Sequence, residues 1–433
     1  MKYDFSEPLK IHRQMHAPIE EYEGLLNYVS QYYGTPISPR IIQEGVLLGN
    51  LERVYSNALE SMTTVITDGK NRVTPTSRKY SMMDFQIEHM DTPKNLCMDR
   101  GKVSSKEEVR RNVDVNSPNF MNSLFYLWAD INSRNRIKDI TSKMEFVPEQ
   151  KDIEGNPLAV VRPTYGIQTE TTMRITTTEP NTQGISTLYK KEFLVPEEGR
   201  LLVGGDISSQ EAMIFFNGLC RDEEVLRMYR ELGEIYKPVV ARIEGINPNK
   251  VDKDLRSAYK VGILTRMNDG GLNLIGRKMG SMELAVKLDS FIMTNPHYQQ
   301  FINSVDRQML TPNPSMGGFI EGRARVITKK DYRSRKQLVN APLQITGVCF
   351  ISISMFAFIQ RMMADFGHWN TMEEFLVDVR PIYHAHDEIL LSVANKNGYP
   401  EYAKECLGWA LGVQFEDWVP LQAETYVDSK YKH

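Results

Sequence analysis

The sequence predicts an α+β chain: a helical front, a mixed centre interrupted by a long helical insertion, and a mixed C-terminal section. Three observations predict it. Apolar residues recur at helical spacing near the front and again through residues 222–309. Short apolar runs with strand character stand at Leu158–Val161 and Leu201–Val203. Val379–Val393 reads strand, tight turn, strand. A chain of 433 residues, 41% hydrophobic and 25% charged, can bury a sizeable core over several domains. That composition excludes a wholly disordered, collagen-like or disulfide-scaffold protein.

Taken in order, Ile19, Leu25, Leu26 and Val29 give one helical face, and Val46, Leu47, Leu51, Val54 and Leu59 give a second. Gly34-Thr35-Pro36-Ile37-Ser38-Pro39 breaks them apart. Residues 68–112 are polar with scattered turn residues and receive no assignment. Asn116-Ser117-Pro118 has the form of a helix start, with Phe120, Leu124, Leu127 and Trp128 on one face beyond it. The run Leu201–Val203 leads past Asp206 into a helix-like stretch, Gln210–Leu219. In the hairpin, Ile382 and Tyr383 stand on one arm and Ile389, Leu390 and Leu391 on the other. A last helix is expected around Tyr402–Val413.

Net charge is −3, so the chain is no uniformly basic nucleic-acid coat, and a polyanion site must come from local clustering. The cysteines at 97, 220, 349 and 406 are isolated, which argues for a reducing compartment and against structural zinc. The start, MKYDFSEPLK, has no apolar signal core, and the most apolar stretch, Gly347–Ile359, is too short to span a bilayer. A cytoplasmic location without a membrane partner is the expectation.

Two carboxylates stand at strand ends, Asp206 and, in the hairpin turn His384-Ala385-His386-Asp387-Glu388, Asp387. Brought together by one sheet, they can bridge paired divalent cations that prefer hard oxygen ligands. For either Asp alone, capping a helix or fixing a turn is the commoner use. Arg256 and Lys260 stand four residues apart, on one face if helical, where a bidentate fork and a point charge can grip a triphosphate. Taken alone, such a pair is more often a solvated basic face. RARVITKKDYRSRKQ, residues 323–337, is dense in cations, and Arg134, Arg136, Lys138 and Lys143 form a smaller cluster. Both suit phosphate-backbone contacts, or simply a solubilising surface. No P-loop and no strand-linked GxGxxG is present. His384 and His386 lack a third ligand at metal spacing.

The order of these pieces resembles the polymerase region of family A (polymerase-I-like) DNA polymerases. Asp206-Ile207-Ser208-Ser209-Gln210-Glu211 resembles that family's Asp-x-Ser-x-x-Glu motif. Arg256-x3-Lys260 resembles the start of its fingers helix, and His386-Asp387-Glu388 its final catalytic motif. Asn340-Ala-Pro342-Leu-Gln344-Ile-Thr346 resembles its Asn-x-Pro-x-Gln-x-Thr stretch. Thr172-Met-Arg174-Ile and Pro180-Asn181-Thr-Gln183 are similar to its minor-groove segment, and Asn116-Ser117-Pro118 to its thumb entry. The resemblance runs from about residue 20 to the C-terminus. It implies a right-hand fold with an antiparallel-sheet palm and helical thumb and fingers. A helical lead-in would occupy 1–30, the thumb 31–150, the palm 151–215 and 335–433, and the fingers 216–334.

The resemblance also implies a chemistry. Two Mg²⁺ ions, for which Mn²⁺ can substitute, would be held by Asp206, Asp387 and the carbonyl of Ile207. Arg256 and Lys260 would clamp the triphosphate, with Lys260 as general acid for pyrophosphate. Glu211 would exclude the ribonucleotide 2′-hydroxyl, with Leu264 and Asn268 beside the nascent pair. Arg174, Asn181, Gln183, Asn340, Gln344 and His386 would line the primer-template minor groove and primer end, where acceptors are shared by every base pair. Glu388 would tune the metal site from beside it. Primer-template DNA and dNTPs are the implied partners, with a separate exonuclease or processivity factor as further ones.

The chain departs from the pattern in two places. The family carries an aromatic four residues after the fingers lysine and Tyr-Gly at the eighth and ninth; here those positions are Leu264, Asn268 and Asp269. A weaker stacking platform and slower or less accurate insertion are expected, with Asn268 hydrogen-bonding Glu211 in the tyrosine's stead. Met213 replaces a frequent arginine. Relatives commonly carry a proofreading exonuclease ahead of the thumb; the residues before Gly34 are too few for such a domain, and Asp84 and Glu88 mimic its motif only faintly. Synthesis without proofreading, in a phage or mobile-element setting, is the expectation. The rivals are a single-subunit RNA polymerase, opposed by Glu388 and Glu211, and a primer-template-binding protein of the same fold with lost catalysis, opposed by the retained Asp206, Asp387, Arg256 and Lys260.

Overall fold

The computed structural model describes residues 5–38, 98–99, 102–103, 139–168, 173–185, 190, 193–327 and 334–432. The chain divides into two compact units, one of Met1–Ser38, Lys143–Gln183 and Thr187–His433, the other of Pro39–Ser142 with Gly184–Ser186. The described part of the second unit includes a short antiparallel hairpin, Met98–Asp99 against Lys102–Val103. Much of the span expected as the thumb lies in this unit. The helical face Val46–Leu59, the stretch Asn116–Pro118, Thr172, and Arg134, Arg136 and Lys138 fall outside the described residues.

The first unit is built on a four-stranded antiparallel sheet. Its order is Val379–Ala385, Glu388–Ala394, Arg200–Ile207 and Ala423–Asp428. Strand Arg200–Ile207 is central, and paired Gly204 and Gly205 let its neighbours come close. A Cβ on Gly204 would meet the Tyr426 ring at 2.2 Å, and one on Gly205 would meet Leu411 and Leu407 at 2.7 and 2.8 Å. Those leucines belong to helix Tyr399–Leu411, which packs on the sheet and is itself covered by a long helix, Ser334–Phe366.

That long helix differs from the sequence reading, which saw only a short apolar stretch. Its 33 residues run through Pro342. A helical proline removes one backbone donor and normally kinks or breaks the helix; here Leu338, Val339, Leu343, Ile345 and Val348 are all buried around it, so packing outweighs the local cost. The helix is long and apolar enough to cross a membrane, but 83% of its most apolar window is buried inside the protein. It is a core helix.

Six helices follow the central strand as one block: Glu223–Leu232, Tyr236–Glu244, Lys253–Met267, Leu272–Met279, Met282–Met293 and Pro296–Met309. Their ends are written in the sequence. Asp222, Asp252, Ser281 and Asn295 accept hydrogen bonds from the backbone N–H three residues on, at 3.0, 2.7, 3.3 and 3.0 Å. Gly233 and Gly245 end the first two at φ +69° and +64°, the left-handed turn that glycine takes without a Cβ clash. The helix-like stretch after Asp206 is shorter than expected: Gln210–Ile214 is α-helical and then widens to a π-helical turn, Phe215–Cys220.

The expected lead-in is no separate element. Leu9–Ile11 pairs in parallel with Val413–Phe415, and helix Ile19–Tyr32 buries Ile19, Tyr22, Leu25, Leu26 and Val29 against the same core. Thr35–Ile37 then joins a three-stranded sheet with Pro157–Val161 and Glu145–Lys151. Hairpin Thr164–Ile167 and Ile175–Thr178 leads towards the site.

Candidate active site and its relatives

The sheet register assembles the acidic centre. Asp206, near the end of the central strand, faces Glu388 on one neighbour and Glu424 on the other. Asp387 sits in the tight turn before Glu388, and its carbonyl accepts from Ile207 N at 3.4 Å. Directly opposite residues of an antiparallel pair lie only about 4.5–5.5 Å apart at Cα, so four carboxylates crowd one end of the sheet. Burial, then the charges of Asp387, Glu388 and Glu424, push the Asp206 carboxyl up to about 7. Burial raises Asp387 to about 6, with Glu211 and Glu388 adding to it and Arg174 opposing.

One cation enters this cluster unannounced by the sequence. Lys190, buried, donates to Glu388 Oε2 at 2.9 Å and reaches the Tyr431 hydroxyl at 3.3 Å, with the Tyr383 ring 5.1 Å away. The other oxygen, Glu388 Oε1, is buried without a hydrogen-bond partner.

A cavity of about 390 Å³ opens beside the carboxylates. Its walls bring together Asp206, Asp387, Glu211, Arg174, Lys260, Leu264, Gln344 and His386 from widely separated parts of the chain. Ser209, at φ +55°, makes the turn that aims Glu211 from the following helix into this space. Glu211 forms an ion pair with Arg174. Tyr236, which the sequence reading passed over, also lines the cavity; burial raises its hydroxyl and the Ser209 side chain bonds it. Lys260 Nζ and the Arg256 guanidinium carbon each lie 5.3 Å from the centre of its ring, consistent with one shared helix face.

Several of the other expected residues have partners within the protein. Arg256 is outside the cavity wall and forks onto Glu234, Nη2 to Oε2 at 3.0 Å. Gln183 donates to the carbonyls of Ile175 and His384 at 3.0 and 2.8 Å and accepts from Thr177 N at 3.3 Å. Its amide therefore braces backbone instead of facing outward. Exposed Asn181 accepts from Thr177 Oγ1 at 3.4 Å. Asn340 is buried and donates to Asn268 Oδ1 at 2.8 Å, so Asn268 bonds Asn340 and not Glu211. Met213 is wholly buried, which suits its apolar side chain where relatives carry arginine. The basic stretch 323–337 is not a free cationic face in its described part. Arg323 forks onto Glu20 at 2.6 Å, Arg325 is buried, and Arg335 pairs with Asp269 and Asp306.

A family model described as DNA polymerase family A matches residues 129–433. The chain belongs to DNA polymerase family A. It is 25% identical over 277 residues to the thermostable DNA polymerase I of Thermus filiformis, a match covering 59% of this chain and 30% of that protein. The chain thus spans under a third of the length of that relative. Its fold is similar to the POL domain of Pol1 from M. smegmatis, solved in complex with DNA primer-template and dNTP. The TM-score is 0.65 at 17% identity, covering 95% of this chain and 69% of that one. The fold is therefore the right-hand polymerase fold, and its four-stranded sheet is the palm.

Family A polymerases use divalent metal ions, and the acidic centre fits them. Two carboxylates raised by burial and by neighbouring carboxylates, and an unpaired buried Glu388 oxygen, leave negative charge that Lys190 alone does not balance. Among the described residues no three His, Cys, Asp or Glu side chains form a ready-made cage. Sites of this kind need none, because one or two carboxylates are completed by substrate phosphates and water.

Proposed function

We propose that this chain is a DNA-templated DNA polymerase that adds dNTPs to a primer 3′-hydroxyl by two-metal nucleotidyl transfer. The observation that carries the reading is that Asp206 and Asp387, strained by burial at one strand end, share a cavity with Lys260 and Glu211. Asp206, Asp387 and the carbonyl of Ile207 would hold two Mg²⁺ ions, or Mn²⁺ in their place. When bound, such ions lower the pKa of the attacking hydroxyl and neutralise charge on the leaving pyrophosphate.

The chain's own residues do the rest. Lys260 projects from helix Lys253–Met267 into the cavity, where its ammonium binds the triphosphate and can give a proton to the departing pyrophosphate oxygen. Glu211, fixed by Arg174, presents a carboxylate edge to the sugar and leaves no room for a 2′-hydroxyl. Leu264 offers an apolar surface to the nascent pair, and Gln344 and His386 face the primer end. Glu388, tied to Lys190 and through it to Tyr431, holds its side of the centre without serving as a ligand. Synthesis without proofreading is part of this reading, and mismatched primer ends are then expected to be extended or to persist, not to be excised.

A primer-extension assay tests this. Extension with dNTPs but not NTPs, abolished by Asp387→Ala, supports it. NTP extension, or binding of primer-template without extension, refutes it.

A further inference from the structure

We propose that Glu234 is a positioning residue for the triphosphate: it holds Arg256 by one edge of the guanidinium and leaves the other edge free for phosphate oxygens. This rests on the nucleotidyl-transfer reading above. Glu234 lies just before helix Tyr236–Glu244, and its carboxylate gathers donors from two helices. Oε2 accepts from Tyr236 N at 3.1 Å and Oε1 from Lys237 N at 2.8 Å. The same oxygens each accept from Arg256 Nε at 3.2 Å, and Oε2 accepts from Nη2 at 3.0 Å.

A guanidinium carries its N–H donors in one rigid plane, with a side-on edge (Nε and Nη2) and an end-on edge (Nη1 and Nη2). Glu234 takes the side-on edge. Among the described residues the end-on edge, with one hydrogen on Nη1 and one on Nη2, remains for a bidentate grip on phosphate. Arg256 lies one helical turn from Lys260, and both stand over the Tyr236 ring. One carboxylate therefore fixes the backbone of Tyr236 and the plane of Arg256 together, and so places ring, fork and ammonium relative to one another. Without it, Arg256 keeps, among the described residues, the Tyr236 ring as a support, and nucleotide binding must order a long side chain.

The test is pre-steady-state insertion of dNTP on a primer-template by Glu234→Gln, Arg256→Ala and the double variant. Loss of a charge-assisted fork that is about a quarter to a third exposed should raise the dNTP Kd by about tenfold in Glu234→Gln. The maximal insertion rate should stay within about threefold, and primer-template affinity should not change. In the Arg256→Ala background, Glu234→Gln should add less than about twofold, because the carboxylate acts through Arg256. That background also isolates the helix cap, since any loss of capping appears there undiluted; Glu234→Asp, which keeps the charge, should recover part of the affinity. An unchanged or lowered Kd in Glu234→Gln, or its full effect persisting without Arg256, overturns the proposal. Failure of the unmodified chain to insert dNTP at all would overturn the transfer reading itself, and this proposal with it.

Discussion

Replacing Asp206 by asparagine should stabilise the metal-free protein at neutral and alkaline pH. The Asp206 carboxyl, ordinarily near 3.8, is raised to about 7 by burial and by Asp387, Glu388 and Glu424. A raised carboxyl binds its proton more tightly in the folded than in the unfolded chain. Stability from this group is therefore complete below about pH 4 and is lost as pH rises towards 7. The full shift, at about 1.4 kcal/mol per unit, sets a ceiling near 4 kcal/mol. Asp206 keeps some contact with solvent and shares its repulsion with Asp387, so a net cost on the order of 1–2 kcal/mol above pH 7 is the working figure. Asparagine is nearly isosteric and removes the charge. In EDTA, equilibrium unfolding at pH 8 should show Asp206→Asn more stable than the parent by that amount, and the gap should narrow on acidification and close only below about pH 4. Added Mg²⁺ should stabilise the parent and not the variant, because binding to the folded state alone shifts the equilibrium. A variant no more stable than the parent at pH 8, or a gap that widens on acidification, refutes the argument.

Three further outcomes are expected. Lys260→Ala should lower the single-turnover insertion rate by about 10²-fold or more through loss of proton donation, and a drop confined to dNTP affinity would remove the general-acid role. Leu264→Phe should tighten dNTP binding by about tenfold, since stacking on an aromatic is worth ~1–3 kcal/mol per base; unchanged affinity in a titration of insertion rates would show that Leu264 is not the nascent-pair platform. Gly204→Ala should destabilise the chain by about 1–3 kcal/mol in thermal unfolding, because its Cβ would lie 2.2 Å from the Tyr426 ring, and Tyr426→Ala should relieve part of that loss.

The acidic centre was legible because its geometry is local to one sheet. A strand ending in Asp206 and a hairpin turning at Asp387 are short apolar runs bounded by turn residues, and antiparallel pairing of their strands places the two ends side by side. The helix block was legible from the helical periodicity of residues 222–309. What escaped has no local signal. Lys190 lies in a stretch with no periodicity and acquires meaning only when Glu388 and Tyr431 arrive from the far end of the chain. Leu9–Ile11 is too short to show a pattern, and its partner Val413–Phe415 is remote. The long helix was hidden by Pro342 and a β-branched run, local preferences that burial on several sides overrides. Cation density in residues 323–337 did not show that Arg323 folds against Glu20 and Arg335 against Asp269 and Asp306, because a charge pattern does not reveal which acids fold against it.

Those consumed cations bear on the missing aromatics. Helix Lys253–Met267 ends in Asn268 and Asp269, where the family's Tyr-Gly would stand. Asn268 is bonded by Asn340 of the long helix, and Asp269 by Arg335 at that helix's start, while Arg335 also reaches Asp306. Three helices are thus pinned at one point by polar contacts in the region where an aromatic pair would otherwise pack. The helix carrying Lys260 and Leu264 is thereby tied to the helix carrying Gln344, so these two walls of the cavity share one anchor. Hydrogen bonds of this kind are directional, whereas ring packing tolerates sliding. On the proposed reading, Leu264, Asn268 and Asp269 therefore leave the cavity's walls fixed in relation to each other, so that any loss of stacking would fall on contact with the base pair and not on the placement of Lys260 in the cavity it shares with Asp206 and Asp387.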